Sequence, residues 1–259
     1  YPLLIRYLSQ MGRAGEAMYY TEAVRRLDPD NARLWFESCT MHAQLWDSDA
    51  AEACIRAYSE AYPDNLDARS TLAFIDGDHE AALRYAEMNV EAQPEQWYRK
   101  LQLAEALIGV GEWERVVEIV GEAFPPLLAD PPEVTDFGVW PATQLALAYT
   151  RLGEQEKADA IIDAALEALG RMRLRQGGGT ISGIDDAVLY AIRGDQEEAL
   201  SRLEAAIDSG WFFYSFGYPD APAFADMKDD PRMIALWDRL AERMAEERAW
   251  YEAHKDDPL

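Results

Sequence analysis

Apolar residues recur at helical spacing along most of the chain, and glycines separate the helical stretches. Five copies of one pattern place alanine or valine five residues after a glycine: Gly12 and Ala17, Gly77 and Ala82, Gly111 and Val116, Gly153 and Ala158, and Gly194 and Ala199. A sixth copy has Trp46 in the glycine position and Ala51 five residues later. Glycine readily adopts the left-handed conformation that ends a helix. The pattern therefore predicts six hairpins, each of two antiparallel helices joined at this turn position.

Small side chains occupy matched positions on both sides of these turns. Seven residues before the turn position, five copies have a small residue, and Ile5 breaks the rule: Cys39, Ser70, Ala104, Ala146 and Ala187. Twelve residues after the glycine, most copies are again small, with Asn89 as the exception: Val24, Ala123, Ala165 and Ala206. Small residues let two helix axes approach closely. We expect the first set to lie inside each hairpin and the second set to face the next hairpin.

Proline and glycine recur with a fixed period. Pro29 and Pro63 lie 34 residues apart, as do Gly77 and Gly111, and proline stops the second helix before the next hairpin begins. A 34-residue period is that of tetratricopeptide repeats. The chain resembles this family in LSQMGRAGEAMYYTEAVRRLDPDN, LAEALIGVGEWERVVEIV, LALAYTRLGEQEKADAIIDAAL and LYAIRGDQEEALSRLEAAI. The resemblance covers about 210 residues and implies an all-α fold, an α-solenoid of roughly six tetratricopeptide-like hairpins.

Two departures from the regular period predict local changes in the array. Only 31 residues separate Pro63 from Pro94, so the first helix of the third repeat should be about one turn shorter. The last three turn glycines are 42 and 41 residues apart, which predicts insertions at residues 124–141 and 171–183. Insertions in such arrays map to loops, often on the face that binds a partner.

The end of the chain departs from the hairpin pattern. An aromatic segment, GWFFYSFGYPDAPAFADMKDDPRM, precedes a helix that should begin with Asp230 as its cap and Pro231 in its first turn. An apolar stripe on this helix predicts that it covers the sixth repeat: Met233, Trp237, Leu240, Met244 and Tyr251. The sequence therefore divides into a repeat array at residues 1–210 and an aromatic loop with a capping helix at residues 211–259.

The composition is strongly acidic, which limits the choice of partner. Lys and Arg number 24 against 48 Asp and Glu, a net charge of −24 that argues against nucleic acid or an anionic membrane as partner. A basic or neutral protein or peptide fits better. No apolar run is long enough to span a membrane and no leader opens the sequence. Cys39 and Cys54 belong to opposite helices of one predicted hairpin and could lie near each other. We expect reduced cysteines buried by packing rather than a disulfide, and we expect a cytoplasmic location.

Motifs for catalysis, metals or cofactors are absent from the sequence. The triple glycine at 177–179 lacks the Lys-Ser/Thr of a phosphate loop and is interpreted as a linker. His42 falls at a packing position, and His79 and His254 have no partner at metal-ligand spacing. Asp185 and Asp186 open a helix, where acidic residues complement the helix dipole. We therefore expect no enzyme activity, no cofactor and no metal.

The resemblance to tetratricopeptide proteins also implies where a partner binds. In that family the first helices line a concave groove, and their groove positions are counted back from the turn. Carried onto this sequence, the candidate binding residues are Arg33, Phe36, Thr40 and Gln44; Thr71 and Phe74; Tyr98, Leu101, Glu105 and Ile108; and Trp140, Thr143, Leu147, Thr150 and Arg151. The set lacks the lysine and arginine clamp with which chaperone-binding members hold a carboxylate.

The favoured function is a noncatalytic scaffold that binds a protein segment in the concave groove. One alternative is a regulatory or ligand-sensing module of a signalling protein or transcription regulator, with a small molecule held beneath one of the two insertions. The aromatic segment resembles tails that follow such arrays in bacterial regulators of winged-helix or adenylate-cyclase type. Because the chain begins at Tyr1, we expect a piece of a larger bacterial protein. A further alternative is an all-α enzyme, such as a helical toroid, which would need convergent carboxylates.

Overall fold

The computed structural model describes residues 2–175, 184–212 and 217–258, and over these residues the chain contains helices and no strand. The all-α prediction is therefore confirmed. The α-helices are α1 (Pro2–Gln10), α2 (Ala14–Leu27), α3 (Ala32–Gln44), α4 (Ser48–Ala61), α5 (Leu66–Ile75), α6 (His79–Ala92), α7 (Trp97–Val110), α8 (Trp113–Ala123), α9 (Val139–Arg151), α10 (Gln155–Arg175), α11 (Asp185–Arg193), α12 (Gln196–Asp208) and α13 (Pro231–His254). Two 3₁₀ helices are η1 (Pro125–Leu128) and η2 (Pro222–Met227).

The predicted turn positions all adopt the left-handed conformation. The five glycines at these positions have φ between 72° and 88°. Trp46, which stands in the glycine position of the sixth copy, has φ of 57°. At Gly111 and Gly194 the backbone N–H of the turn glycine bonds to carbonyls of the preceding turn, as in a helix C-cap. Consecutive helices therefore reverse direction where the sequence predicted.

Small residues are buried at the helix contacts inside the hairpins. Ala104, Ala146 and Ala187 on the first helices have no exposed surface. Ala158 and Ala199 on the second helices are equally buried. Helices that follow one another in the chain also pack together, from α1 through α4 and from α6 through α11. The predicted contacts between neighbouring helices are confirmed for these elements.

The chain forms two compact units, and the first unit combines residues 1–68 with residues 203–259. This grouping differs from the sequence-based division at residue 210. Its cause is that α13 packs against α2. The backbone N–H of Gly15 donates to Glu247 Oε2 at 2.7 Å, and Tyr19 donates its hydroxyl to the carbonyl of Asp257 at 3.1 Å. The Tyr19 ring also meets Trp250 edge to face at 6.5 Å.

Helix α13 begins as predicted but has a further partner. Asp230 accepts a hydrogen bond from the backbone N–H of Arg232 at 2.8 Å, and Pro231 occupies the first turn. The apolar stripe is buried except for its last member, which is half-buried. Arg239 on α13 forms an ion pair with Asp208 at the end of α12, in the sixth repeat. Another side of α13 packs on α2 near Gly15. The prediction that α13 covers the sixth repeat is therefore incomplete.

The second unit comprises residues 69–202 and is built around α9. Helices α7, α8, α10 and α11 all pack against α9, which is why residues 141–149 are buried without exception. The predicted insertion at 124–141 contains η1 and the first turn of α9. In the other insertion, residues 171–175 extend α10 instead of forming a loop, and Gly177–Gly179 lie outside the described residues. Helix α5 is short, with 10 residues against 13 in α3, as predicted.

Candidate functional site

A groove in the first unit runs along the end of α4 and the starts of α3 and α5. It comprises two adjoining cavities of about 400 Å³ and 410 Å³. We call it the aromatic groove, and its lining residues are Ala32, Arg33, Phe36, Glu37, Tyr58, Asn65 and Asp67 around the first cavity, joined by Ala61, Tyr62, Pro63 and Asp64 around the second.

Helix caps position two sides of the aromatic groove. Asn31 caps α3 by accepting from the backbone N–H of Leu34 at 3.3 Å. Asn65 accepts in the same way from Ala68 at the start of α5, at 3.0 Å. The amide of Asn65 also donates to the hydroxyl of Tyr58 at 3.0 Å. These caps hold the loop between α4 and α5 against the tyrosine ring at the floor of the groove.

The floor of the groove consists of packed aromatic rings. Tyr58 is 1% exposed and lies 5.4 Å from Phe36, 5.6 Å from Trp35 and 4.8 Å from Tyr62, measured between ring centroids. Such tilted and edge-to-face pairs hold each ring in place beyond the effect of burial alone. Burial also raises the pKa of the Tyr58 hydroxyl. Phe36 remains half-buried, so part of its ring is open to the groove.

The rim of the groove is charged. Arg33 and Glu37 form an ion pair at 3.0 Å one helical turn apart, with side chains 86% and 43% exposed. Asp64 is exposed at the second cavity and Asp67 is half-exposed at the first. The lining therefore contains three carboxylates and one guanidinium.

A disulfide joins the two helices that carry the groove floor, and it corrects the prediction of reduced cysteines. Cys39 lies three residues after Phe36 on α3, and Cys54 lies four residues before Tyr58 on α4. Their Cα atoms are 5.2 Å apart, within the range that a disulfide requires. The hairpin predicted from the turn at Trp46 brings the two thiols together, because each cysteine occupies the inner face of its helix.

Two of the four candidate residues on α3 line the aromatic groove, namely Arg33 and Phe36. Thr40 bonds through its hydroxyl to the carbonyl of Glu37 at 2.8 Å. Gln44 is buried, and its Oε1 has no hydrogen-bond partner among the described atoms. The residues that the sequence analysis missed come from α4, the following loop and the first turn of α5, above all Tyr58, Asn65 and Asp67. The Asn-x-x-Ala capping pattern at 65–68 was the available signal.

The candidate residues on α7 and α9 meet at one contact in the second unit. The indole of Trp140 donates a hydrogen bond to the carboxylate of Glu105. This carboxylate reaches solvent but is crowded by surrounding protein, and the resulting desolvation raises its pKa to about 7, against the lowering effect of the indole. Tyr98 and Ile108 are half-buried, whereas Leu101 has no exposed surface and contributes to packing.

The other candidate residues of the second unit serve different local roles. On α9, Thr143 and Leu147 are buried, and Thr150 donates to the carbonyl of its own helix at Ala146. Arg151 is exposed at the end of the same helix. On α5, Thr71 is half-buried, whereas the ring of Phe74 is 61% exposed.

A buried polar cluster links α2 to α3 away from the aromatic groove. Ser38 and Arg25 both donate hydrogen bonds to Glu22. Burial opposes ionisation of Glu22, but these two hydrogen bonds bring its pKa below the ordinary value. His42 is half-buried nearby, and burial lowers its pKa. Ser38 is only 2% exposed, so its hydroxyl is not open to a substrate.

Acidic residues open α11 as predicted. Asp185 and Asp186 occupy its first turn, and Asp186 forms an ion pair with Arg173. Burial and the neighbouring Asp186 charge raise the pKa of Asp185 to about 6. Within residues 2–175, 184–212 and 217–258, no three His, Cys, Asp or Glu side chains are grouped so that they could hold a metal ion.

The chain matches no model of a known protein family, and no curated protein is significantly similar to it. Among the helices of the described residues, none combines the length and the apolarity that crossing a lipid bilayer requires.

Proposed function

We propose that the chain is a noncatalytic scaffold of tetratricopeptide-like helical hairpins that binds a segment of another protein. The observation that supports this proposal is the aromatic groove, whose floor includes Phe36 and Tyr58 and whose volume is about 400 Å³ at its first cavity. Large aromatic side chains dominate the energetics of many protein interfaces when they can pack against a partner. Phe36 is presented for such packing, and the disulfide and the Asn65 cap hold the surrounding helices in place.

The groove favours a scaffold over a ligand-sensing module. The sensing alternative calls for a deep closed pocket beside Trp140, whereas the aromatic groove that supports the scaffold is open and lies along α3, α4 and α5. The enzyme alternative calls for convergent carboxylates that are free to accept protons from a substrate. Of the three carboxylates that line the groove, Glu37 is paired with Arg33, and we assign none of them to proton transfer.

The net charge of −24 favours a basic or neutral partner. Long-range attraction speeds the encounter of oppositely charged proteins and is screened by salt. Association with the true partner should therefore be faster at low ionic strength. An association rate that does not change with salt would remove the basic partner from this proposal.

Selection from a displayed library of random 12-residue peptides tests the proposal directly. The full chain is the bait, and peptides that share a motif should be recovered and should bind in solution as measured by fluorescence anisotropy. Phe36→Ala should weaken their binding about tenfold, since an aromatic anchor is lost. Tyr7→Ala is the matched control, because it removes a ring that is 62% exposed on α1, outside the aromatic groove and outside the candidate binding residues. Failure to enrich any shared motif would contradict the scaffold function.

The sequence predicts a cytoplasmic location, whereas the Cys39–Cys54 disulfide that holds the groove favours an oxidising compartment. Disulfides persist in oxidising compartments and are rare in the cytosol. Rapid acid quenching and alkylation of the protein from the cells that make it would count the free thiols. A cytoplasmic protein should yield Cys39 and Cys54 as alkylated thiols, whereas complete protection of both would contradict this location.

A further inference from the structure

We propose that the aromatic groove receives a cationic side chain, arginine or lysine, from an extended segment of the partner protein. This inference rests on the proposed scaffold function and adds the chemistry of the segment that is bound. Three observations support it: the partly exposed rings of Phe36 and Tyr62, the carboxylates on the rim, and the size of the cavity between them.

The aromatic floor suits a cation. Phe36 is partly open at the first cavity, and the buried ring of Tyr58, 5.4 Å away, supports it from below. A guanidinium or ammonium group above an aromatic ring is attracted by the negative face of the ring. Tyr62, which lines the second cavity and lies 4.8 Å from Tyr58, extends the aromatic surface along the groove. A long basic side chain could therefore lay its methylene stem on the rings and keep its charged head at the rim.

The rim carries complementary charge. Glu37 and Asp67 border the first cavity and Asp64 borders the second, against the single cation of Arg33. The Arg33–Glu37 pair lies on the surface, with Arg33 86% exposed. Exposed pairs of this kind contribute little to stability. An incoming guanidinium could thus share or replace Arg33 at Glu37 without a large loss for the folded chain.

Other ligand classes fit the groove less well. An anionic group would meet three carboxylates of like charge. A purely apolar side chain would strip water from these carboxylates and offer no hydrogen bond in return. The first cavity, at about 400 Å³, lies in the size range of sites that take a small organic group. An arginine or lysine side chain can pack its methylene stem on the aromatic rings and place its charged head beside the rim carboxylates.

A small probe tests the subsite without knowledge of the partner. N-acetyl-arginine N-methylamide is titrated into the full isotope-labelled chain, and N-acetyl-citrulline N-methylamide, which has the same shape without the charge, serves as the matched probe. The arginine probe should shift the NMR signals of Phe36, Tyr58 and the Asn65 side-chain amide. The citrulline probe should bind about fivefold more weakly, because it lacks the cation that the rings attract.

Substitutions at the rim show which carboxylates contribute to binding of the arginine probe. Glu37→Gln and Asp64→Asn should each weaken the arginine probe about threefold, since one charged contact is lost. Glu60→Gln is the control, because it removes the same charge from an exposed site on α4 that does not line the groove. Equal loss in all three variants would show a general effect of net charge and would overturn the proposed site.

The remaining outcomes separate this inference from the function on which it rests. Absence of localised shifts, or equal binding of the citrulline probe, would overturn the cationic subsite even if library peptides bind elsewhere on the chain. Localised shifts with the predicted charge dependence would support the subsite. If the library experiment then yields no shared peptide motif, the scaffold function fails while the binding chemistry of the groove stands.

Discussion

The hairpins α3–α4 and α9–α10 follow the same spacing rule with different chemistry. In α9–α10 the small residues at the matched positions are Ala146 and Ala158, both fully buried, and the turn is made by Gly153. In α3–α4 the position seven residues before the turn is Cys39, which is covalently bonded to the opposite helix, and the turn is made by Trp46. The first solution is packing and the second is a cross-link.

The two hairpins also differ in how much they bury. Helix α9 is buried along residues 141–149, whereas most of α3 is half-buried and presents Arg33 and Phe36 to a groove. A hairpin that leaves part of its surface open gains less from the hydrophobic effect. A disulfide compensates by restricting the unfolded chain. The contrast suggests that a hairpin can present a binding surface when something other than burial ties its helices together.

The largest expected effect comes from overfilling the packed hairpin. Ala146→Trp should lower the free energy of unfolding by about 3 kcal/mol or more, because a large side chain has no space at a helix contact without exposed surface. Urea denaturation measures the change. Ala160→Trp places the same residue on the exposed side of α10 and should change stability by less than about 0.5 kcal/mol. Equal effects at both positions would invalidate the packing assignment.

Removal of the cross-link should have the next largest effect. Cys39→Ala combined with Cys54→Ala opens a loop with a sequence separation of 15 residues, which should cost about 3 kcal/mol in the free energy of unfolding. A reducing agent should lower the stability of the wild-type chain by a similar amount and leave the double variant unchanged. If reduction does not change the free energy of unfolding of the wild-type chain, the disulfide does not stabilise α3–α4, and the proposed difference between the two hairpins is wrong.

Two glycine substitutions in the α9–α10 hairpin should change the free energy of unfolding in opposite directions. Gly153→Ala should destabilise the chain by about 1 kcal/mol, since φ at this position is 76° and alanine disfavours it. Gly170→Ala should stabilise α10 by about 0.8 kcal/mol, because the site is helical and a Cβ there meets no atom within 4 Å. Thermal unfolding of both variants reveals the signs. A gain at both sites would contradict the left-handed turn.

The smallest expected effect is a pH dependence of the free energy of unfolding, caused by Glu105 on α7 where it meets Trp140 on α9. The pKa of Glu105 is raised from the ordinary 4.5 to about 7, so the folded chain holds this proton more tightly than the unfolded chain. Its contribution to stability is full below pH 4.5 and is lost as the pH rises towards 7. Glu105→Gln should remove this slope between the two values in urea denaturation.

The hydrogen bond to Glu105 sharpens this prediction. Because the Trp140 indole favours the ionised carboxylate, Trp140→Phe should move the NMR titration midpoint of Glu105 to higher pH. Phe137→Leu provides a control, since this exposed ring lies outside α9. If Glu105 of the wild-type chain titrates near its ordinary pKa of 4.5, its carboxylate is not desolvated and this prediction is wrong.

The hairpins were predictable because their signals are local. Glycine at a turn and alanine on an inner face act within a few residues, so Gly153 and Ala146 could be placed from the sequence alone. Even Trp46 was identified as a turn residue, because its neighbours keep the spacing of the other copies. The start of α13 was equally readable from Asp230 and Pro231.

Interactions between distant segments were not predictable in the same way. The stripe on α13 shows that one face packs, but nothing local to it indicates that Gly15 and Tyr19 on α2 form part of the covering surface. The groove was only half identified, since Arg33 and Phe36 follow from the first-helix rule, whereas Tyr58 comes from a second helix. The hairpin predicted that Cys39 and Cys54 could lie close together, but the prediction of reduced cysteines was wrong, because the redox state of two neighbouring thiols is not encoded in a local pattern.

The packing of α13 on α2 has a consequence for how the chain leaves the ribosome. Gly15 and Tyr19 are synthesised 232 and 238 positions before the residues that hydrogen-bond to them. At about 5 to 20 residues per second, the nascent chain spends roughly 12 to 46 seconds with this face of α2 uncovered. The first unit therefore cannot be completed until all of the second unit has been translated, and chaperones have their longest opportunity to bind the growing polypeptide at its earliest hairpin.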